Sequence, residues 1–100
     1  MEIKCYQHVI EIDNKYIRPE KVSCVQFEPM YEFDSHTVDG FREMDKMVCF
    51  INLENTPTVI IRNVSEADKA AILGAVYGTC KGTLFWSYKD GEYDNEYCTT

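Results

Sequence analysis

Apolar positions recur along the chain with two different periods. IKCYQHVIEI (residues 3–12) alternates polar and apolar side chains, the pattern of a half-buried strand, and DNK (13–15) supplies a turn. In KYIRPEK (15–21) the Arg18-Pro19-Glu20 step interrupts pairing, because proline has no N–H to donate. KVSCVQFE (21–28) resumes a strand with Val22 and Cys24 on one face and Ser23, Val25 and Phe27 on the other. KMVCFINL (46–53) is apolar on both faces, as a central strand would be. ENTP (54–57) makes a loop and TVIIRN (58–63) the return strand of a hairpin.

The period changes at Ser65-Glu66-Ala67-Asp68, which resembles a capping box and opens ADKAAILGAVY as a helix ending at Gly78. Ala67, Ala71, Leu73, Val76 and Tyr77 are expected to form its apolar face. GTLFWSYKDGEYDNEYC (82–98) reads as a hairpin turning at Asp90-Gly91. Residues 29–45 are irregular, with Pro29, Gly40 and an expected short turn of helix at FREMD (41–45). The fold class is α+β: a small antiparallel β-sheet of five to seven short strands, one α-helix over about 65–78 packed on it, and a C-terminal β-hairpin. One compact domain is expected over residues 1–100.

Charge sharpens this picture. The net charge is −7, and residues 1–27 balance four acids against four bases. Residues 28–45 carry Glu28, Glu32, Asp34, Asp39, Glu43 and Asp45 against Arg42 alone. Residues 82–100 carry Asp90, Glu92, Asp94 and Glu96 against Lys89. These two segments hold the excess, so binding to nucleic acid through phosphate neutralisation is not expected. No apolar run approaches a membrane span, and the N-terminal stretch is not a signal peptide, so a cytoplasmic protein is expected. Cys5, Cys24, Cys49, Cys80 and Cys98 include no close-spaced pair, and free, mostly buried thiols are expected.

Few residues suggest chemistry. His8 lies mid-strand and reads as structural. His36, between Asp34 and Asp39, could form a weak divalent site or a proton-transfer pair, but a solvated acidic loop is the better expectation. No catalytic motif stands in the chain, and no metal or cofactor is expected.

The most unusual stretches are EPMYEFD (28–34) and GEYDNEY (91–97), which interleave rings with carboxylates. Strand alternation separates Tyr31 and Phe33 from Glu32 and Asp34, and Tyr93 and Tyr97 from Glu92, Asp94 and Glu96. The plain reading is two amphipathic edge strands with rings inward and acids in water. The functional reading takes Glu28, Tyr31, Glu32, Phe33, Asp34, Asp39, Asp90, Glu92, Tyr93, Asp94, Glu96 and Tyr97 as a partner-binding surface. Acids two residues apart repeat at about 6.5–7 Å, close to phosphate spacing along one nucleic-acid strand.

In composition the chain resembles the small acidic proteins with which phages inhibit host defence nucleases. In architecture it loosely resembles many small bacterial and phage proteins, without a diagnostic motif. The expectation is a non-enzymatic interaction module that binds a basic, nucleic-acid-binding surface of a partner protein, as an inhibitor or nucleic-acid mimic. A small-molecule or nucleotide site built from Ser65, Trp86, Tyr88 and the helix N-terminus is the alternative. The sequence leaves the oligomeric state open, homodimer included.

Overall fold

The computed structural model describes residues 1–6, 9–78 and 84–97. Its elements are strands β1 (Glu2–Cys5), β2 (Ile10–Ile12), β3 (Lys15–Ile17), β4 (Val22–Phe33), β5 (Phe41–Leu53) and β6 (Val59–Val64), helix α1 (Glu66–Tyr77), and strands β7 (Leu84–Lys89) and β8 (Glu92–Tyr97). A single 3-10 turn at Pro19–Lys21 occupies the break expected at the proline. The strands form two antiparallel sheets, one of five in the order β3-β2-β1-β7-β8 and one of three in the order β4-β5-β6. The α+β class, the helix and the C-terminal hairpin match the sequence reading, while the eight strands divide between two sheets.

Local chemistry explains the turns. Asp13 and Asn14 adopt φ of 44° and 69° between the paired residues Ile12 and Lys15. Asp90 and Gly91, at 49° and 94°, do the same between Lys89 and Glu92. Two left-handed residues in a two-residue loop match the right-handed twist of the flanking strands. The stretch 3–12 does not run as one strand. It reverses, pairing Ile3 with Ile12 and Cys5 with Ile10, so that both apolar sets face the same core.

That core joins Ile3, Cys5, Ile10, Ile12, Ile17 and Tyr88 of the larger sheet to Cys49, Ile51, Ile61 and Val64 of the smaller one. Each fully buried isoleucine contributes about 1.5–3 kcal/mol of apolar burial. Helix α1 closes the core with Ala71, Ile72, Ala75 and Val76. Lys69 Nζ lies 5.3 Å from the centre of the Phe27 ring and ties the helix to β4. The buried face is rotated from the one expected, for Ala67 and Tyr77 are exposed and Asp68 is buried. The physical reason is the pairing of Asp68 with Tyr88, described below.

Strands β4 and β5 outrun the rest of their sheet. The last β6 residue, Val64, pairs with Met47, and beyond it β4 and β5 continue alone through Tyr31–Glu43, Glu32–Arg42 and Phe33–Phe41. FREMD is therefore strand, because pairing with Tyr31–Phe33 satisfies its backbone where a single helical turn would not. No residue from 28 to 48 is buried. The projecting ribbon elongates the molecule to 59 × 32 × 19 Å. Its radius of gyration is 15.6 Å, against about 13 Å for a compact chain of this length.

A second departure concerns the root of β4. A bulge between Val22 and Cys24 turns Val22 to the core side with Val25 and Phe27, and leaves Ser23 outward with its hydroxyl on the Asn52 carbonyl. Cys24 and Cys49 are free thiols, whereas Cys5 is disulfide-bonded, contrary to the expectation of free thiols throughout. Cys80, Cys98 and His8 lie outside the described residues.

Candidate functional site: an aromatic arm

The ribbon ends in the turn 34–40, which is built by its own acids. The Asp34 Oδ1 accepts from the His36 amide at 2.9 Å, and the Asp39 Oδ1 accepts from the Phe41 amide at 3.2 Å. Gly40 at φ +80° supplies the left-handed residue that closes the loop, and the Asp34 amide donates to its carbonyl at 2.8 Å. Asp34 and Asp39 thus shape backbone around His36, and no group of three metal-ligating side chains occurs among the described residues.

Cross-strand pairing sorts the arm into two faces. On one, Arg42 lies between Glu32 and Asp34, hydrogen-bonded to the Glu32 carboxylate and 4.0 Å from the Asp34 Oδ2. These carboxylates raise the Arg42 guanidinium above its ordinary value, the Glu32 hydrogen bond most of all. The opposite face carries Tyr31, Phe33 and Phe41 together with Glu43, the partner of Tyr31, and the rings of Phe33 and Phe41 meet edge to face at 6.4 Å.

Those rings are 60%, 75% and 55% exposed, the reverse of the expected arrangement of rings inward and acids in water. The cause lies in the length of the neighbours. Tyr31 and Phe33 keep the strand parity of Val25 and Phe27, which pack on the core, but they stand on the arm beyond the last β6 pair. A core-facing pattern has been carried past the core. Val38 is fully exposed at the tip, so the apolar row reaches the end of the ribbon.

The second acidic segment belongs to the other sheet. Glu92 and Asp94 are exposed on edge strand β8, opposite Lys89 and Ser87, and the register places Glu96 on the same face. Asp90 holds the N-terminal ammonium of Met1 at 3.0 Å, and that bond raises the ammonium pKa. Tyr93 is 57% exposed and packs against Tyr88 and Trp86 at ring-centre separations of 5.0 and 5.8 Å. The side chains of Glu96 and Tyr97 lie outside the described set.

The alternative ligand residues are only partly brought together. Ser65 and Tyr88 share a depression of about 320 Å3 with Asp68, Lys46 and Asp90, while Trp86 is half-buried against the core instead. Three of its polar residues, Ser65, Asp68 and Tyr88, satisfy one another. The Tyr88 hydroxyl donates to the Asp68 Oδ1 at 2.5 Å, the Ser65 amide donates to the Asp68 Oδ2 at 3.0 Å, and the Asp68 amide donates to the Ser65 Oγ at 3.1 Å. Burial alone would raise the Asp68 carboxyl, but the bonds from Tyr88 and Ser65 outweigh it and hold the carboxyl below its ordinary value. Tyr88 is pushed up to about 12, by burial first and by the Asp68 carboxylate next. The helix N-terminus already has its anion.

Sequence reasoning named Tyr31 and Phe33 but passed over Phe41 and Val38, which lay in a presumed helical turn and a loop. Their signal was the alternation across the tip, FDSHTVDGF, read as a hairpin with one ring on each side. No family model, curated protein or solved structure matches the chain.

Proposed function

We propose that the chain is a non-enzymatic interaction module that docks its β4–β5 arm on a partner protein, placing Tyr31, Phe33 and Phe41 in an apolar groove with a basic rim. The observation that carries this reading is the row of rings, each more than half exposed, on a ribbon face that no element among the described residues covers. Contiguous exposed aromatics are costly in water and mark interaction sites, where rings anchor the centre and charges form the rim. Glu28, Glu43, Asp39 and Asp45 are exposed on the same arm and would steer it towards cations.

A basic groove built for nucleic acid is the narrower form of this proposal, and an inhibitor would act by occupying it. Arg42 tempers the mimicry at Glu32, so the rings and not the acids supply the anchor in our reading. The small-molecule alternative has less support, because Ser65, Asp68 and Tyr88 spend their hydrogen bonds on one another.

Affinity capture from a lysate of the source cells tests the proposal. Phe33→Ser with Phe41→Ser is expected to lose a protein that the wild type retains, and high salt is expected to release it. Amide triples at Glu32, Asp34 and Asp39, or at Glu92, Asp94 and Glu96, then compare the two acidic segments, and the arm triple is expected to slow association. Retention of the same protein by the double serine variant would refute the docking role of the rings.

A further inference from the structure

At the end of the ribbon opposite the arm tip, the surface carries a depression of complementary chemistry. Ile17 and Leu53 line a cavity of about 360 Å3 together with Tyr16, Arg18, Lys21 and the 54–56 turn. Ile17 is buried and Leu53 packs on the core, so the cavity has an apolar floor, while the Tyr16 ring is 71% exposed. The Glu54 amide donates to the Lys21 carbonyl at 2.9 Å and fixes the two walls together. Arg18 and Lys21 form no ion pair among the described residues, whereas Lys4 and Arg42 each hold a carboxylate. An apolar floor, an open ring and two cations against the single Glu54 carboxylate suit one class of occupant, an aromatic side chain accompanied by carboxylates. The arm presents that group on its ring face, where Glu43 pairs with Tyr31 beside Phe33 and Phe41 and exposed Asp39 stands at the tip.

An arm cannot reach the cavity of its own chain. The cavity adjoins the Val22–Leu53 pair at the root of the ribbon, and Phe33 pairs with Phe41 at its tip. The two lie about 35 Å apart at about 3.3 Å per strand residue. We propose that the Tyr16–Arg18–Lys21 cavity receives the arm of a second copy of this chain, so that copies associate head to tail. The inference rests on the reading of the arm as the docking element, and it names a second copy as an occupant. The contact joins two different surfaces, so it leaves a free arm and a free cavity at the ends and propagates until a ring closes.

Sedimentation and light scattering on purified protein test this. The wild type is expected to exceed its 11.6 kDa monomer mass increasingly with concentration. Arg18→Glu with Lys21→Glu keeps the arm and removes the cavity; Phe33→Ser with Phe41→Ser does the converse. Each is expected to be monomeric and to keep its circular dichroism, because all four side chains are exposed. Mixed in equal amounts, the two variants have one intact arm and one intact cavity, so they are expected to form a 1:1 dimer and nothing larger. A wild type that stays monomeric, a cavity variant that still self-associates, or a mixture that fails to pair would overturn the head-to-tail contact. If the wild type is monomeric yet the serine variant loses its captured protein, the docking role of the arm survives and the second copy is excluded as its occupant. A serine variant unchanged in both assays removes both readings.

Discussion

Replacing Tyr88 by phenylalanine isolates the hydrogen bond that sets the orientation of the helix. Tyr88 is 1% exposed and its hydroxyl meets the Asp68 Oδ1, on a carboxylate that is itself buried, at 2.5 Å. A hydrogen bond to a charged group contributes about 1.5–3 kcal/mol, and its loss leaves a buried carboxylate oxygen without that donor. The Ser65 amide still holds the other oxygen, so a cost of about 2 kcal/mol is expected rather than the larger penalty of a stranded charge. At about 4–8 °C per kcal/mol for a domain of this size, the melting temperature should fall by about 10 °C. Tyr93→Phe, on an exposed ring, is the control and should change little.

The pH dependence separates this effect from simple repacking. The Tyr88 pKa in the fold is about 12, above the value of about 10 in an unfolded chain. The neutral phenol is therefore favoured by folding, and its contribution is complete below pH ~10 and lost as pH rises towards 12. The gap between wild type and Tyr88→Phe in urea unfolding should narrow over that range. Cys49, pushed up to about 11 by burial, titrates in both proteins and cancels in the comparison. At the acid end the sign reverses. Asp68 lies below its ordinary value and stabilises the fold above pH ~4, a contribution lost as pH falls through its folded value. Without the Tyr88 donor, acid unfolding should begin at higher pH. Equal melting temperatures, or a gap that stays constant from pH 8 to pH 12, would refute this account of the Asp68–Tyr88 pair.

Two further outcomes are expected. Ser65→Ala removes the cap on the Asp68 amide and should cost about 0.5–2 kcal/mol, measured by urea titration. Cys49 is fully buried with a raised thiol pKa, so a thiol reagent should label it only at the rate of global unfolding, while half-buried Cys24 reacts sooner.

Much of the fold was legible where chemistry is local. The capping box needs only Ser65 and Asp68, three residues apart, and the C-terminal turn needs only Asp90-Gly91. The helix face was misread because a charged residue ordinarily marks the wet side. Asp68 is buried because a tyrosine twenty residues later donates to it, and nothing near Asp68 announces that partner. The arm failed differently. Parity for Tyr31 and Phe33 followed from alternation, but their exposure depends on β6 stopping opposite Met47, a property of another segment. The two acidic stretches were equally visible in sequence, yet one borders a free ribbon and the other lies on the edge of a covered sheet.

Between the pairs Pro29–Met47 and Tyr31–Glu43, β4 advances by two residues and β5 by four, with Met44, Asp45 and Lys46 facing Met30 alone. An even surplus keeps both strands in phase, so Phe41 returns to the side of Phe33. An odd one would not. Deleting Met44 alone would turn every β5 residue towards the tip onto the opposite side, putting Arg42 among the rings and Phe41 among the acids. Deleting two residues would shorten the loop-out and spare the pattern. Length changes in this arm are therefore tolerable in pairs, and the separation of grip from charge is written in the parity of a three-residue stretch as much as in the identity of the rings.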